Sequence, residues 1–150
     1  MQAQDFIKAK GKLSIVLRDE SGNIKDQRDV DNLVVTLGKQ FIAARMKDTG
    51  QPGQMSHMAI GAGTVAPAAG DTALGSELGR VALGTAGGSV SGAVVTYSGT
   101  FGAGTGTGAV TEAGILNAAS AGTLLCRTTF SVVNKGANDS MTITWTVTIS

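Results

Sequence analysis

Residues 141–150 read MTITWTVTIS, in which Met141, Ile143, Trp145, Val147 and Ile149 alternate with Thr142, Thr144, Thr146, Thr148 and Ser150. Successive side chains of an extended backbone point to opposite sides, so this order gives one apolar row and one hydroxyl row. The alternation predicts a strand with a dry and a wet face, Trp145 as the core anchor of the dry one, and a chain that closes pinned into a sheet.

The same period recurs upstream. In residues 10–18, KGKLSIVLR, Leu13, Ile15 and Leu17 oppose Lys12, Ser14, Val16 and Arg18. Asp19-Glu20-Ser21-Gly22-Asn23 supplies turn chemistry, and residues 24–30 resume as an extended, polar return strand. An N-terminal hairpin with an exposed, charged edge is expected. Beyond residue 50, runs 55–60, 80–83, 90–101, 109–117 and 124–133 read as short extended segments punctuated by glycine. Residues 61–70 read as a loop, Asp71 and Thr72 as the opening of one helical turn through Glu77, and GAGTGTG at 102–108 as a flexible connector.

One helix is expected over residues 33–47, capped by Asp31 or Asn32. Its apolar face would be Leu33, Leu37, Phe41, Ile42 and Met46, and its polar face Thr36, Lys39, Gln40, Ala43 and Lys47. Gly38 inside it costs about 1 kcal/mol relative to Ala, which makes sense if another backbone crosses closely there. The expected fold is mainly β, a β-sandwich or jelly-roll-like body with one amphipathic helix and an N-terminal hairpin. It is expected as a single domain, 1–150, with a charged arm and hairpin at 1–31 and the body at 32–150.

Composition narrows the function classes. A chain of 150 residues buries roughly two-thirds of its unfolded surface around one core. A net charge of +1 with 15% charged residues gives no reason to expect nucleic acid or an anionic membrane as main partner. One Trp and one Tyr provide no stacking platform for single strands. A single Cys126 allows no internal disulfide, and neither a leader-like segment nor a long apolar run is seen, so a soluble protein without a signal peptide is expected. Charge is uneven: residues 1–50 hold nine of the twelve Lys and Arg, while the rest carries eighteen of the 22 glycines. A weakly charged, Thr-rich surface suits a protein packed against copies of itself or within a larger assembly.

The motifs that could carry chemistry each lack a part. GAGTVA at residues 61–66 follows an apolar run as a dinucleotide fingerprint does, but Pro67 and Gly70 fall where the next helix would run. GAGTGTG lacks the Lys of a phosphate loop. His57 and Cys126 form a dyad only if the fold unites them, and a packing Cys beside a His at a strand entrance is the simpler reading. Asp19, Glu20, Asn23 and Asp26 do not follow a calcium-loop spacing. Asp71, Glu77, Glu112 and Asp139 are the acids from which a glycan hydrolase would draw a carboxyl pair. No catalytic residue, cofactor or metal site is assigned. Partner contacts are expected instead from the N-terminal arm, where Phe6 and Ile7 precede Lys8, Lys10 and Lys12 on one face of an extended segment.

Three segments, MAIGAGTVAPAAGDTALGSELGR (58–80), VTYSGTFGAGTGTGAVTEAGILN (95–117) and TTFSVVNKGANDSMTITWTVTIS (128–150), are similar to small structural proteins of tailed bacteriophages. NLVVTLGKQFIAARM of the helix fits the same pattern. The resemblance covers most of residues 32–150 and leaves out the charged hairpin. It implies a non-enzymatic virion component, either a head decoration (cement) protein or a tail, fibre or adsorption-apparatus protein. A fibre usually adds long repeats, which are absent here, so the expected role is decoration of the capsid. The resemblance further implies the major capsid protein or another virion protein as partner, a homo-oligomer, and a place on the particle, at the head surface, after synthesis in the bacterial cytoplasm. No nucleic acid and no membrane is expected as partner.

Overall fold

Alternation along the first and last strands builds the middle of the sheet. A computed structural model describes residues 6–47, 49–85 and 87–150. The elements run β1 (Ala9–Arg18), β2 (Ile24–Val34), α1 (Thr36–Arg45), β3 (His57–Gly61), β4 (Glu77–Ala82), β5 (Ser89–Ser91), β6 (Val94–Phe101), β7 (Gly108–Leu116), β8 (Leu124–Lys135) and β9 (Ser140–Ile149). The chain is therefore mainly β with one helix, as expected. All pairings are antiparallel, in the order β4-β3-β7-β8-β2-β1-β9-β6-β5.

The strands form one continuous, curled sheet around the core. β2 is the corner. Its first part pairs with β1 as far as Asn32, and then Leu33 and Val34 pair with Arg127 and Cys126 of β8. Where β2 and β8 diverge, the Arg28 guanidinium donates to the Ser131 and Val132 carbonyls and bridges the gap. At the far ends the curl brings the sheet back on itself: the Gly84 N–H donates to the Ser98 carbonyl at 2.8 Å. There Gly99 of β6 leaves room for Met58, whose sulfur would stand 3.0 Å from an added Cβ.

Leu13, Ile15 and Leu17 of β1 and Met141, Ile143, Trp145 and Val147 of β9 are all buried in the core, together with Met58, Ile60, Ile115 and Cys126 from β3, β7 and β8. Trp145 is fully buried, as the alternation predicts. Its indole N–H donates to Asn32 Oδ1 at 2.9 Å. Asn32 reaches it across Gly11, where an added Cβ would lie 1.7 Å from the same oxygen.

Several local expectations are corrected. Residues 31–34 continue β2, so Asp31 and Asn32 do not cap the helix, and α1 begins at Thr36 rather than 33 and ends at Arg45. The residue at its N-cap is Val35, which makes no side-chain capping bond. The Thr36 N–H is satisfied by the Ala69 carbonyl at 2.8 Å, from a loop remote in sequence. Met46 is exposed instead of facing the core, and Leu33 lies in β2. The charged hairpin does not form an edge of the sheet: β2 lies between β8 and β1, and β1 pairs with β9 along ten residues. Residues 71–76 are irregular, not a helical turn. The long extended run at 90–101 is a tight hairpin, β5 and β6, whose turn begins at Gly92 with φ +57.

Candidate functional site

Polar groups inside the fold gather around one ion pair. Glu112 of β7 and Arg127 of β8 sit on neighbouring strands, one diagonal step apart because Gly114 lies opposite Arg127 and Thr129 opposite Glu112. Both side chains are buried, with Arg127 Nη2 2.9 Å from Glu112 Oε2. Glu112 also accepts the N–H groups of Gly63 at 2.9 Å, Gly75 at 2.9 Å and Ser76 at 2.7 Å. Arg127 donates onward to Asp71 at 2.8 Å and to the Val65 carbonyl at 3.0 Å. The network thus ties both ends and the tip of the loop of residues 62–76 to the outer face of β7 and β8.

This explains the glycine run at 61–63. A Cβ on Gly63 would stand 2.4 Å from Glu112 Oε1, so the loop must be bare where it wraps the carboxylate. The glycines that resemble a nucleotide fingerprint hold an internal anion instead. Burial by itself would raise the Glu112 pKa, but the Ser76 and Gly75 N–H groups, Arg127 and Gly63 outweigh it and hold the carboxyl below its ordinary value. Burial likewise acts against Asp71, and the Ala68 N–H and Arg127 reverse it.

A second clamp holds the GAGTGTG segment, which is packed down rather than a free connector. Lys135, buried at the end of β8, donates to the Gly102 and Asp139 carbonyls, both at 2.8 Å. Asp139 accepts from Lys25 at 2.7 Å and from the Gly136 N–H at 2.7 Å, and these bonds keep its carboxyl below the ordinary value. Glu77 pairs with Arg80 at 2.6 Å. Arg80 also donates to the Ala118 and Ala121 carbonyls and secures the turn between β7 and β8.

Each of the four acids considered as a hydrolase pair is therefore engaged by a cation. Asp71, Glu112 and Asp139 have lowered pKa values, the opposite of what a general acid needs. His57 and Cys126 are not brought together. Met58, Ile115 and Cys126 form one cross-strand row, so His57, one residue before Met58, points to the other side of the sheet with β7 between. Its Nδ1 lies 2.8 Å from Ser56 Oγ. Burial pushes the Cys126 thiol up and Tyr97 up to about 12, so neither is an activated nucleophile. Asp19 accepts the N–H groups of Ser21 and Asn23 within its own turn, and Asp26 pairs with Arg28.

The surface differs from the interior at the N-terminal end. Phe6, Ile7 and Met46 are 70%, 78% and 82% exposed. Lys8, Lys10 and Lys12 lie exposed on the outer side of the β1 line, as expected from their spacing. Lys8 exchanges two backbone hydrogen bonds with Ser150, which places it in the sheet. Between this segment and α1 opens a groove of about 470 Å3, to which Ile7, Lys8 and Lys10 contribute from the arm. Lys39, Ile42 and Met46 of the helix side and Ile149 of β9 complete it. Phe6 and Lys12 do not line it. The helix residues were not legible as part of this surface, because the helical spacing put Ile42 and Met46 on the face expected to turn to the core.

Among the described residues, no helix is long and apolar enough to cross a membrane. Comparison with protein-family models, curated proteins and solved structures gives no match to this chain.

Proposed function

We propose that the chain is a structural protein of a tailed-bacteriophage particle, a capsid decoration (cement) protein that binds the major capsid protein as a small homo-oligomer on the head surface. The observation that carries the reading is the similarity of residues 58–80, 95–117 and 128–150 to such proteins. The use the chain makes of its charges supports it. Glu112, Arg127, Asp71, Lys135 and Asp139 all serve to fix loops on the sheet, as suits a part whose work is to keep a surface in one shape. Exposed apolar side chains beside lysines at the N-terminal end offer that surface a place to dock.

The mechanism is linkage. A protein that binds the expanded lattice and not its separated subunits stabilises the lattice by its binding free energy, repeated at every site. The test adds purified protein to phage heads lacking it, followed by sedimentation and a heat challenge. Saturable binding with a raised disruption temperature supports the reading. Absence of head binding, with attachment to isolated tails, would replace it by a tail or adsorption role.

A further inference from the structure

The groove at the start of β1 has an open strand edge as one wall. β1 is paired with β9 from Ala9 onward, but with β2 only from Gly11, because β2 turns away to β8 at Leu33. Residues 7–10 line the groove together with Lys39 and Ile42 of α1 and the following Met46. Lys8 spends both its backbone groups on Ser150, so by the antiparallel alternation it is Ile7 and Ala9 whose backbone groups point to the side that β2 has left. Backbone groups on such an edge are a template for one more strand.

We propose that this groove receives an extended, acidic segment of another protein, added as a strand beside residues 7–10. The alternation along the edge dictates what fits. Ile7 and Ala9 share the inner parity of the buried Leu13 and Ile15, and with Ile42, Met46 and Ile149 they make an apolar floor. Lys8 and Lys10 stand on the outer parity, and Lys39 of the helix lines the same groove. Among the described residues, none of these three lysines makes an ion pair. A strand whose apolar side chains alternate with Asp or Glu therefore satisfies floor and rim together. A second copy of this chain paired through the same edge would set Lys8 and Lys10 against their own like charges. A nucleic acid would use the rim but neither the apolar floor nor the strand edge. The inference goes beyond the particle role above and does not rest on it, so its test uses no particles.

The full chain would be titrated against a fluorescein-labelled peptide of about ten residues, a full strand length, in which Glu alternates with Ile, in two registers, and against its Lys-for-Glu counterpart. Saturable binding of a Glu peptide alone is expected, with amide shifts confined to residues 7–10 and 39–46. Lys39→Glu and Met46→Glu alter exposed side chains, leave the circular dichroism spectrum unchanged, and each weaken binding by about tenfold or more. The proposal is overturned if neither register binds, if both variants bind as the parent does, or if oligothymidylate competes equally. It is also overturned if sedimentation shows a dimer that Met46→Glu abolishes, which would make a second copy the occupant.

Discussion

Glu112 and Arg127 meet at 2.9 Å with both side chains shut off from solvent, and between them they hold the loop of residues 62–76. Removing one partner of a buried pair leaves the other charge uncompensated. Arg127→Met is expected to destabilise the fold by about 3 to 5 kcal/mol. Asp71→Asn, at the half-exposed outer end of the network, is expected to cost about 1 kcal/mol. Urea unfolding of the three proteins measures both, and equal stability of Arg127→Met and the parent would remove the clamp from the account.

The same network fixes the direction of the acid response. Glu112, Asp71 and Asp139 have folded-state pKa values below their ordinary 4.5, 3.8 and 3.8. A carboxyl with a depressed folded pKa contributes stability that is fully present above its ordinary value and is lost as pH falls through the folded one. Stability is therefore expected to be level from neutral pH down to about 5 and to decline below about 4.5. Denaturant midpoints measured across that range check the sign, and a midpoint that rises on acidification below 4 contradicts it.

Gly38 lies where the helix crosses β8, and an added Cβ would stand 1.9 Å from the Leu125 carbonyl oxygen. Gly38→Ala improves helix propensity by about 1 kcal/mol, yet it is expected to destabilise the protein by about 1 to 3 kcal/mol through the enforced shift. Thermal unfolding of the variant decides between the local and the tertiary effect.

Trp145 fills the core and hands its indole N–H to Asn32. Trp145→Ala is expected to cost about 3 to 5 kcal/mol. Chemical denaturation reads the loss, and a change within about 0.5 kcal/mol, the scale of surface substitutions, would contradict the inward row.

These residues also mark where sequence reasoning succeeds and stops. The closing strand was legible because each odd position from Met141 to Ile149 is apolar and each even one hydroxylic, so only one face can be buried. Gly38 was legible as a close approach because a helix interior carries glycine at a cost. The helix start was not. Asp31 and Asn32 look like caps, but β1 pairs with them and the needed carbonyl comes from Ala69, a partner that no local pattern announces. The clamp was half legible: Glu112 and Arg127 each stand out as the charge in a run of small and apolar residues, but the register that sets them one diagonal step apart carries two irregularities that no local pattern announces. The groove was legible only on its arm side, in Ile7, Lys8 and Lys10, since its other wall depends on where β2 leaves β1.

Cryo-electron imaging of particles assembled with and without the protein tests the central claim, decoration of the head, most directly. The account predicts extra density repeating with the icosahedral lattice at the junctions of coat subunits, absent from particles made without the chain. Density confined to the tail or its baseplate, or heads identical in the two preparations, would contradict it.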